Sequence, residues 1–200
     1  MLIENREAAM NDLAERVRKC TKCKLHIERR NPVVGRGSLY SKVMFIGEAP
    51  GYHEDVQGLP FVGAAGKLLS QLLANVGIEE QEVYITNVVK CRPPENRDPE
   101  PDEIQACTPY LDEQIKIISP IIIVTLGRHS ANYIFSKAGW SFSSIEKVRG
   151  RVRVGKILGL NISVIPTYHP AAALYNPALK NKLEQDLKMV KEELIRPRLL

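Results

Sequence analysis

Short apolar runs alternate along this chain with segments in which apolar residues recur every three or four positions. Runs of the first kind predict strands, at Val43 to Ile46, Glu82 to Val89, Ile121 to Leu126 and Asn161 to Pro166. Segments of the second kind predict helices, around Leu13 and Val17, at Gly66 to Val76, at Glu103 to Ile118, after Gly127 and from Leu179 to Leu194. This alternation predicts an α/β fold, in which helices cover both faces of a parallel sheet.

The length and composition predict one globular domain spanning residues 1–200. With 44% hydrophobic and 26% charged residues, the chain differs from collagen-like, disordered and disulfide-dense proteins. No apolar run approaches the roughly 18 residues of a transmembrane helix. The first six residues, MLIENR, lack the apolar core of a signal peptide. We therefore expect a cytoplasmic protein that does not attach to a membrane.

The chain is mildly basic, because 28 Lys and Arg residues exceed 23 Asp and Glu residues by 5. This balance suits a polyanionic partner, and it equally suits a basic soluble protein without one. Arg149, Arg151 and Arg153 alternate with valines, so an extended strand in this segment would be basic on one face.

Four cysteines have a spacing that is typical of metal ligands. Cys20 and Cys23 form a C-x2-C pair, 67 residues separate Cys23 from Cys91, and 15 more separate Cys91 from Cys107. In a reducing cytosol, cysteines in this arrangement favour a metal site over disulfides. The spacing suits a zinc ion or an iron–sulfur cluster, and free buried cysteines are the remaining alternative. A metal site would require three separate segments to meet at one point.

Polar or conformationally unusual residues follow three of the predicted strands. They are Gly47-Glu48-Ala49-Pro50-Gly51, Thr86-Asn87 and Tyr168-His169-Pro170. Ligands of parallel sheets bind beyond the carboxyl ends of the strands. If these ends lie at one edge of the sheet, a carboxylate, a carboxamide and an imidazole line a single pocket.

These residues belong to longer motifs that occur in a fixed order. After the cysteine pair come GEAPG at Gly47 to Gly51 with Glu54 and Asp55, GLPFVG at Gly58 to Gly63, TNVVKCRPP at Thr86 to Pro94, and HPA at His169 to Ala171. In these motifs the chain resembles the iron–sulfur uracil-DNA glycosylases, the family 4 enzymes of archaea and thermophilic bacteria. The resemblance extends over nearly the whole chain from Cys20 to the His169 loop.

The resemblance implies a fold, a cofactor and an activity. The expected fold is a three-layer α/β/α sandwich with a central parallel sheet. The expected cofactor is a 4Fe–4S cluster on Cys20, Cys23, Cys91 and Cys107. The expected activity is DNA repair, by hydrolysis of the N-glycosidic bond of uracil to leave an abasic site. We expect a monomer that acts on uracil-containing DNA, single- or double-stranded, and a contact with a replication clamp stays open.

The resemblance also implies roles for individual residues. The uracil pocket would comprise Gly47, Glu48, Gly51, Phe61, Asn87 and His169. Phe61 would stack on the base, Asn87 would recognise its edge, and His169 would hydrogen-bond its O2 as charge develops. His169 and Glu48 are the expected catalytic residues.

One position departs from the better-known uracil-DNA glycosylases, which have an aspartate where this chain has Ala49. Glu48 is the nearest substitute for orienting the attacking water, with Asp55 or a backbone-held water as alternatives. The expected DNA contacts are Pro50, Lys90, Arg149 and Leu174, and Leu174 would wedge into the base stack.

Other functional classes explain fewer of these residues. A metal-stabilised nucleic-acid-binding module without catalysis accounts for the charge and the cysteines but leaves Asn87 and His169 unexplained. Electron-transfer iron–sulfur proteins usually place their ligands in C-x2-C-x2-C runs. Zinc-dependent deaminases need a His-x-Glu with a following Pro-Cys-x-x-Cys, and this sequence lacks that combination.

Overall fold

Six strands form one sheet in a computed structural model that describes residues 5–196. The strands are Arg36–Gly37 (β1), Val43–Gly47 (β2), Tyr84–Asn87 (β3), Ile122–Leu126 (β4), Arg153–Ile157 (β5) and Leu160–Thr167 (β6). Their order across the sheet is β1-β3-β2-β4-β6-β5. Most of the N-terminal segment on which we predicted the absence of a signal peptide lies outside the described residues.

The four central strands, β3, β2, β4 and β6, run parallel, whereas the edge strands β1 and β5 are antiparallel to their neighbours. Every residue of β2, β3 and β4 is buried, which explains why these strands appear in the sequence as continuous apolar runs. The predicted central parallel sheet is confirmed, and the antiparallel edges make the sheet mixed as a whole.

Helices cover both faces of the sheet. They are Arg6–Arg18 (α1), Leu25–Glu28 (α2), Tyr52–Gln57 (α3), Ala64–Asn75 (α4), Pro101–Ile118 (α5), Arg128–Lys137 (α6), Ile145–Val148 (α7), Pro170–Tyr175 (α8) and Ala178–Ile195 (α9). One apolar cluster packs α1, α5 and α6 against the sheet, and a second packs α4 and α9. The predicted three-layer sandwich is therefore confirmed. None of the helices described in residues 5–196 is long and apolar enough to cross a membrane.

Two predicted strands differ from the structure. The segment expected at Glu82 to Val89 forms a strand only over Tyr84–Asn87, after which the chain continues across the end of β2, with the amides of Val88 and Val89 donating to the carbonyls of Gly47 and Glu48. The basic strand expected around Arg149 is wrong over its first half. Gly150 has a φ of +66°, which interrupts the extended backbone, so that β5 begins only at Arg153.

Candidate active site and cysteine centre

The three strand ends singled out from the sequence line one cavity. Glu48 follows β2, Asn87 ends β3 and His169 lies two residues beyond β6. The other lining residues are Ala49, Pro50, Gly51, Glu54, Phe61, Ala65, Pro93, Asn96, Arg97, Ala171 and Tyr175. The expected convergence at the carboxyl edge of the sheet is confirmed, because β3, β2 and β6 belong to the parallel part of the sheet and end at the same edge.

Asn87 contributes a buried carbonyl oxygen to this region. Its residue is only 2% exposed, and its Oδ1 finds no hydrogen-bond partner among residues 5–196. A Cβ atom at Gly47, opposite Asn87 in the sheet register, would overlap both this oxygen and the ring of Phe61. An unpaired buried acceptor costs about 1–3 kcal/mol. This oxygen can therefore accept a hydrogen bond that no donor within residues 5–196 supplies.

Phe61 is held in an unusual backbone conformation beside Asn87. Its φ is +54°, a region that costs a non-glycine residue roughly 1–3 kcal/mol. Arg36 donates from Nε to the carbonyl of Pro60 at 3.0 Å and from Nη2 to that of Phe61 at 3.3 Å. Gly66 on α4 lets the helix approach, because a Cβ there would overlap the Phe61 carbonyl. These contacts with the backbone of the loop fix the orientation of the Phe61 ring.

The surroundings of His169 favour an uncharged imidazole ring that can donate a hydrogen bond. Its Nδ1 accepts the amide of Ala171 at 3.2 Å and so caps α8, which leaves the proton of the neutral ring on Nε2. Burial lowers the pKa of His169 to about 4, an effect that the charge of Glu54 partly opposes. The imidazole ring lies 5.6 Å from the Phe61 ring, measured between centroids, and is tilted from it by 29°.

The four cysteines line a second, smaller cavity. Cys20 and Cys23 lie in the loop after α1, Cys91 in the loop after β3, and Cys107 on α5. The expected meeting of three segments is therefore confirmed. Within the part of the chain that the structure describes, no three of these sulfur atoms lie within 4.8 Å of one another.

Two N–H groups point at the sulfur atoms. The amide of Lys90 donates to Cys107 Sγ at 3.2 Å, and Arg29 Nη1 donates to Cys91 Sγ at 3.1 Å. Burial raises the pKa of Cys91 and raises that of Cys107 to about 12. Arg29 and Lys90 partly oppose this effect of burial at Cys91 and Cys107, and a bound metal would favour the thiolates further.

Comparison with known proteins identifies the family of this chain. Residues 34–190 match the uracil DNA glycosylase superfamily. The type-4 uracil-DNA glycosylase of Sulfurisphaera tokodaii is 59% identical over 191 residues, which cover 95% of this chain and 87% of that protein. The chain belongs to the type-4 uracil-DNA glycosylase family. The enzymes of that name from Archaeoglobus fulgidus and Thermotoga maritima are 46% and 45% identical, over 92% and 93% of this chain and 92% and 95% of their own lengths. The resemblance predicted from the motifs is thus confirmed.

In this family member, Glu48 has charged neighbours that sequence reasoning missed. Burial raises the pKa of its carboxyl group, with Asp98 adding to the effect, while His129 and Arg128 oppose it. His129 Nε2 lies 3.7 Å from Glu48 Oε2 and 3.5 Å from Asp98 Oδ2. Arg128 in turn pairs with Asp98. These residues follow different strands, so that no local sequence signal connects them with Glu48.

The two neighbouring acidic residues of the GEAPG region have different positions. Glu54 lines the cavity, and its Oε1 accepts the amides of Val62 and Gly63, both at 2.9 Å, which ties down the Phe61 loop. Asp55 is 2% exposed, and its Oδ1 accepts the amide of Arg30 at 2.9 Å. Because Asp55 holds a loop and is absent from the described cavity wall, it is no longer a candidate for orienting water.

The expected DNA contact at Lys90 is wrong. The residue is 0% exposed, and its Nζ donates to Thr86 Oγ1, the Asn87 carbonyl and Gln114 Oε1 at 2.7, 2.7 and 2.6 Å. Burial lowers the pKa of Lys90 to about 7. The apolar residues Val88 and Val89 before it are the sequence signal that indicates burial. Lys90 fixes the backbone that presents Asn87.

The remaining DNA-contact candidates differ in accessibility. The guanidinium of Arg149 donates to the carboxylate of Asp186 at 2.9 and 2.5 Å, so this side chain already has an anionic partner. Pro50 is buried in the cavity wall, whereas Leu174 on α8 is 47% exposed beside the cavity residue Tyr175. Contact of Pro50, Arg149 and Leu174 with DNA stays a prediction.

Proposed function

We propose that this chain removes uracil from DNA by hydrolysing the bond between N1 of the base and C1′ of the deoxyribose. The observation that supports this most strongly is the buried, unpaired Oδ1 of Asn87, near an aromatic ring and a neutral imidazole. Uracil offers the matching groups, namely an N3–H donor, two carbonyl acceptors and a flat apolar face. That the chain acts as a monomer is part of the same proposal.

The base must leave the helix to reach this cavity. Rotating it out of a duplex costs a few kcal/mol and costs least for a mismatched or single-stranded uracil. Stacking on an aromatic side chain is worth about 1–3 kcal/mol and offsets much of that cost. Phe61, held rigidly by its loop, provides this stacking surface.

Asn87 recognises the edge of the base. Its Oδ1 accepts the N3–H of uracil, and its Nδ2 donates to O4. Cytosine has an acceptor at N3 and an amine at position 4, so that both pairs would be mismatched. Sites built to hydrogen-bond a substrate reject analogues that lack the matching group by roughly 10⁴ to 10⁵. Thymine differs by a methyl group, which Glu48 and the backbone at Gly51 exclude by shape.

His169 stabilises the departing uracil. The bond between N1 and C1′ breaks with its electron pair on uracil, and the negative charge spreads to the carbonyl oxygens. The Nε2–H of a neutral imidazole donates to O2 and stabilises this charge as it develops. Water forms the new bond to C1′, and Glu48 orients that water and receives its proton. Ala49 leaves Glu48 as the nearest carboxyl group after β2 for this task.

A 4Fe–4S cluster is the group that the cysteines would hold. Membership of the type-4 family and the four cysteines that line one small cavity support this assignment. Such a cluster would bind one cysteine on each iron and would supply positive charge to the buried thiolates. Because hydrolysis transfers no electrons, the cysteines contribute by joining the loops after α1 and β3 to α5.

Excision from matched oligonucleotides tests the proposed function. The purified protein is incubated with strands that carry a single U, T or C, without added metal, and abasic sites are cleaved with alkali. We expect cleavage at U alone. DNA binding without cleavage at U would contradict the proposal and favour the non-catalytic nucleic-acid-binding module.

Replacing one cysteine tests the cofactor. We expect Cys107→Ser to lose the visible absorption of the protein and to lower its Tm by about 6 °C or more, since 1 kcal/mol corresponds to about 2–4 °C for a chain of this size. Thr108→Ser, at the adjacent buried position, is the matched control and should change neither. Visible absorption that persists in Cys107→Ser would contradict the cluster assignment. So would an unchanged protein that contains zinc rather than iron by elemental analysis.

A further inference from the structure

Two arginines from different segments lie over one exposed tyrosine ring beside the cavity. The guanidinium carbons of Arg30 and Arg92 are 5.5 and 5.2 Å from the centre of the Tyr52 ring, which is 46% exposed. Gly51 and Pro93 line the cavity. Tyr52 directly follows Gly51, and Arg92 directly precedes Pro93. We call these three side chains the Tyr52 platform.

The charges of the Tyr52 platform are uncompensated. Within residues 5–196, neither guanidinium forms an ion pair, and Arg92 Nε donates to a neutral acceptor, Asn96 Oδ1, at 2.7 Å. Arginines elsewhere around the site do have carboxylate partners, as in the pairs Arg36 with Glu80, Arg97 with Glu103, and Arg128 with Asp98. Two like charges near one ring repel each other, and an anion between or beside them relieves that repulsion.

The segments that hold the two arginines are firmly anchored. The carboxylate of Asp55, on the same helix as Tyr52, accepts the backbone amide of Arg30 at 2.9 Å. The preceding Arg29 donates to the sulfur of Cys91, which in turn precedes Arg92. The ring itself attracts both guanidinium groups, because cations within about 6 Å of an aromatic centroid are stabilised. The platform is therefore preorganised before any ligand binds.

We infer that the Tyr52 platform binds backbone phosphates of the DNA strand next to the flipped nucleotide. The inference rests on the proposed function, because it takes uracil in DNA as the occupant of the adjacent cavity. A guanidinium group matches phosphate oxygens with paired N–H donors, and a polyanion supplies the missing counter-charge. The platform holds DNA without recognising its sequence, since phosphates are the same at every position.

The salt dependence of DNA binding tests this inference. Binding of a uracil-free single-stranded oligonucleotide is measured by fluorescence anisotropy over a series of salt concentrations, for Arg30→Gln, Arg92→Gln and the double variant. Each phosphate contact contributes about 0.7 to the slope of log K against log salt for a single strand. We expect the slope to become shallower by about 0.7 in each single variant and about 1.4 in the double variant.

Arg153 provides a matched control, because its guanidinium also lies over an aromatic ring, that of Phe135 at 5.2 Å, but on the edge strand β5. Arg153→Gln removes the same charge and should leave the slope unchanged. If the platform variants match this control, the inference is overturned. The visible spectrum of Arg92→Gln would reveal any disturbance of the neighbouring Cys91. In that case the salt dependence of Arg30→Gln alone tests the inference.

The tyrosine gives an independent readout. Tyr52→Phe retains the ring and should bind DNA as the unchanged protein does, whereas Tyr52→Leu should weaken binding because the guanidinium groups lose their support. Equal affinities for both variants would overturn the role of the ring. Since this DNA contains no uracil, the slopes do not depend on excision. Failure of the proposed function would instead appear as an absence of cleavage at U with the slope shifts intact.

Discussion

Replacing Asn87 with alanine is expected to lower the single-turnover rate of uracil excision by about 10²- to 10⁴-fold. The substitution removes two hydrogen bonds to a base that becomes negatively charged, and each such bond is worth about 1.5–3 kcal/mol. A tenfold change in rate corresponds to about 1.4 kcal/mol. Because Asn87 is only 2% exposed, binding of uracil-free DNA should stay within a few-fold of its original value. A rate within tenfold of the original would contradict the role of Asn87.

The aspartate variant separates recognition from simple loss of contact. A carboxylate accepts from the amine of cytosine but cannot donate to O4 of uracil, so Asn87→Asp should acquire slow cytosine excision while uracil excision falls. Asn75→Asp adds the same charge at an exposed position, the last residue of α4, and serves as the control. Continued rejection of cytosine by Asn87→Asp would count against the proposed hydrogen-bond pattern.

His169→Ala is expected to reduce excision by about 10²- to 10³-fold, the usual loss when one donor to a developing anion is removed. The variant also removes the cap of α8, because Nδ1 accepts the Ala171 amide. His169→Asn distinguishes the two effects, since asparagine caps helices well but does not place a ring N–H at the same point. Low excision by both variants with retained DNA binding indicates chemistry, and recovery in His169→Asn would indicate that His169 acts only as a cap.

The protonation state of His169 gives a pH test on the unchanged protein. Burial favours the uncharged ring and lowers its pKa to about 4, so the ring is neutral from about pH 5 upward. Titration of His169 should therefore contribute no step to the excision rate near pH 6.5, the ordinary range of histidine. Below about pH 4, protonation places a proton on Nδ1 and breaks the bond from Ala171. A step near pH 6.5 that disappears in His169→Asn would contradict the neutral donor.

The part of the site that follows from topology was predictable from the sequence. Once the runs Val43 to Ile46, Glu82 to Val89 and Asn161 to Pro166 are recognised as parallel strands, their carboxyl ends must lie at one edge of the sheet. The cysteine spacing likewise required three segments to meet. Both conclusions depend on periodicity and chain order, which the sequence contains directly.

The partners of individual polar side chains were not predictable. Lys90 was expected to contact DNA as a basic residue, yet it is buried, and three oxygen acceptors inside the fold satisfy its ammonium group. Arg149 pairs with Asp186, which is 37 positions away in the sequence. The contacts of Lys90 with Gln114 and of Arg149 with Asp186 depend on packing between elements that are distant in sequence, which neither composition nor local spacing encodes.

The most direct test of the central claim compares uracil with N3-methyluracil at one position of the same strand, using the unchanged protein under single-turnover conditions. The methyl group replaces the proton that the Oδ1 of Asn87 is proposed to accept and leaves both carbonyl oxygens in place. We predict excision of uracil and retention of N3-methyluracil, with the difference between the two bases largely lost in Asn87→Ala. Removal of both bases at similar rates by the unchanged protein would contradict the proposed recognition.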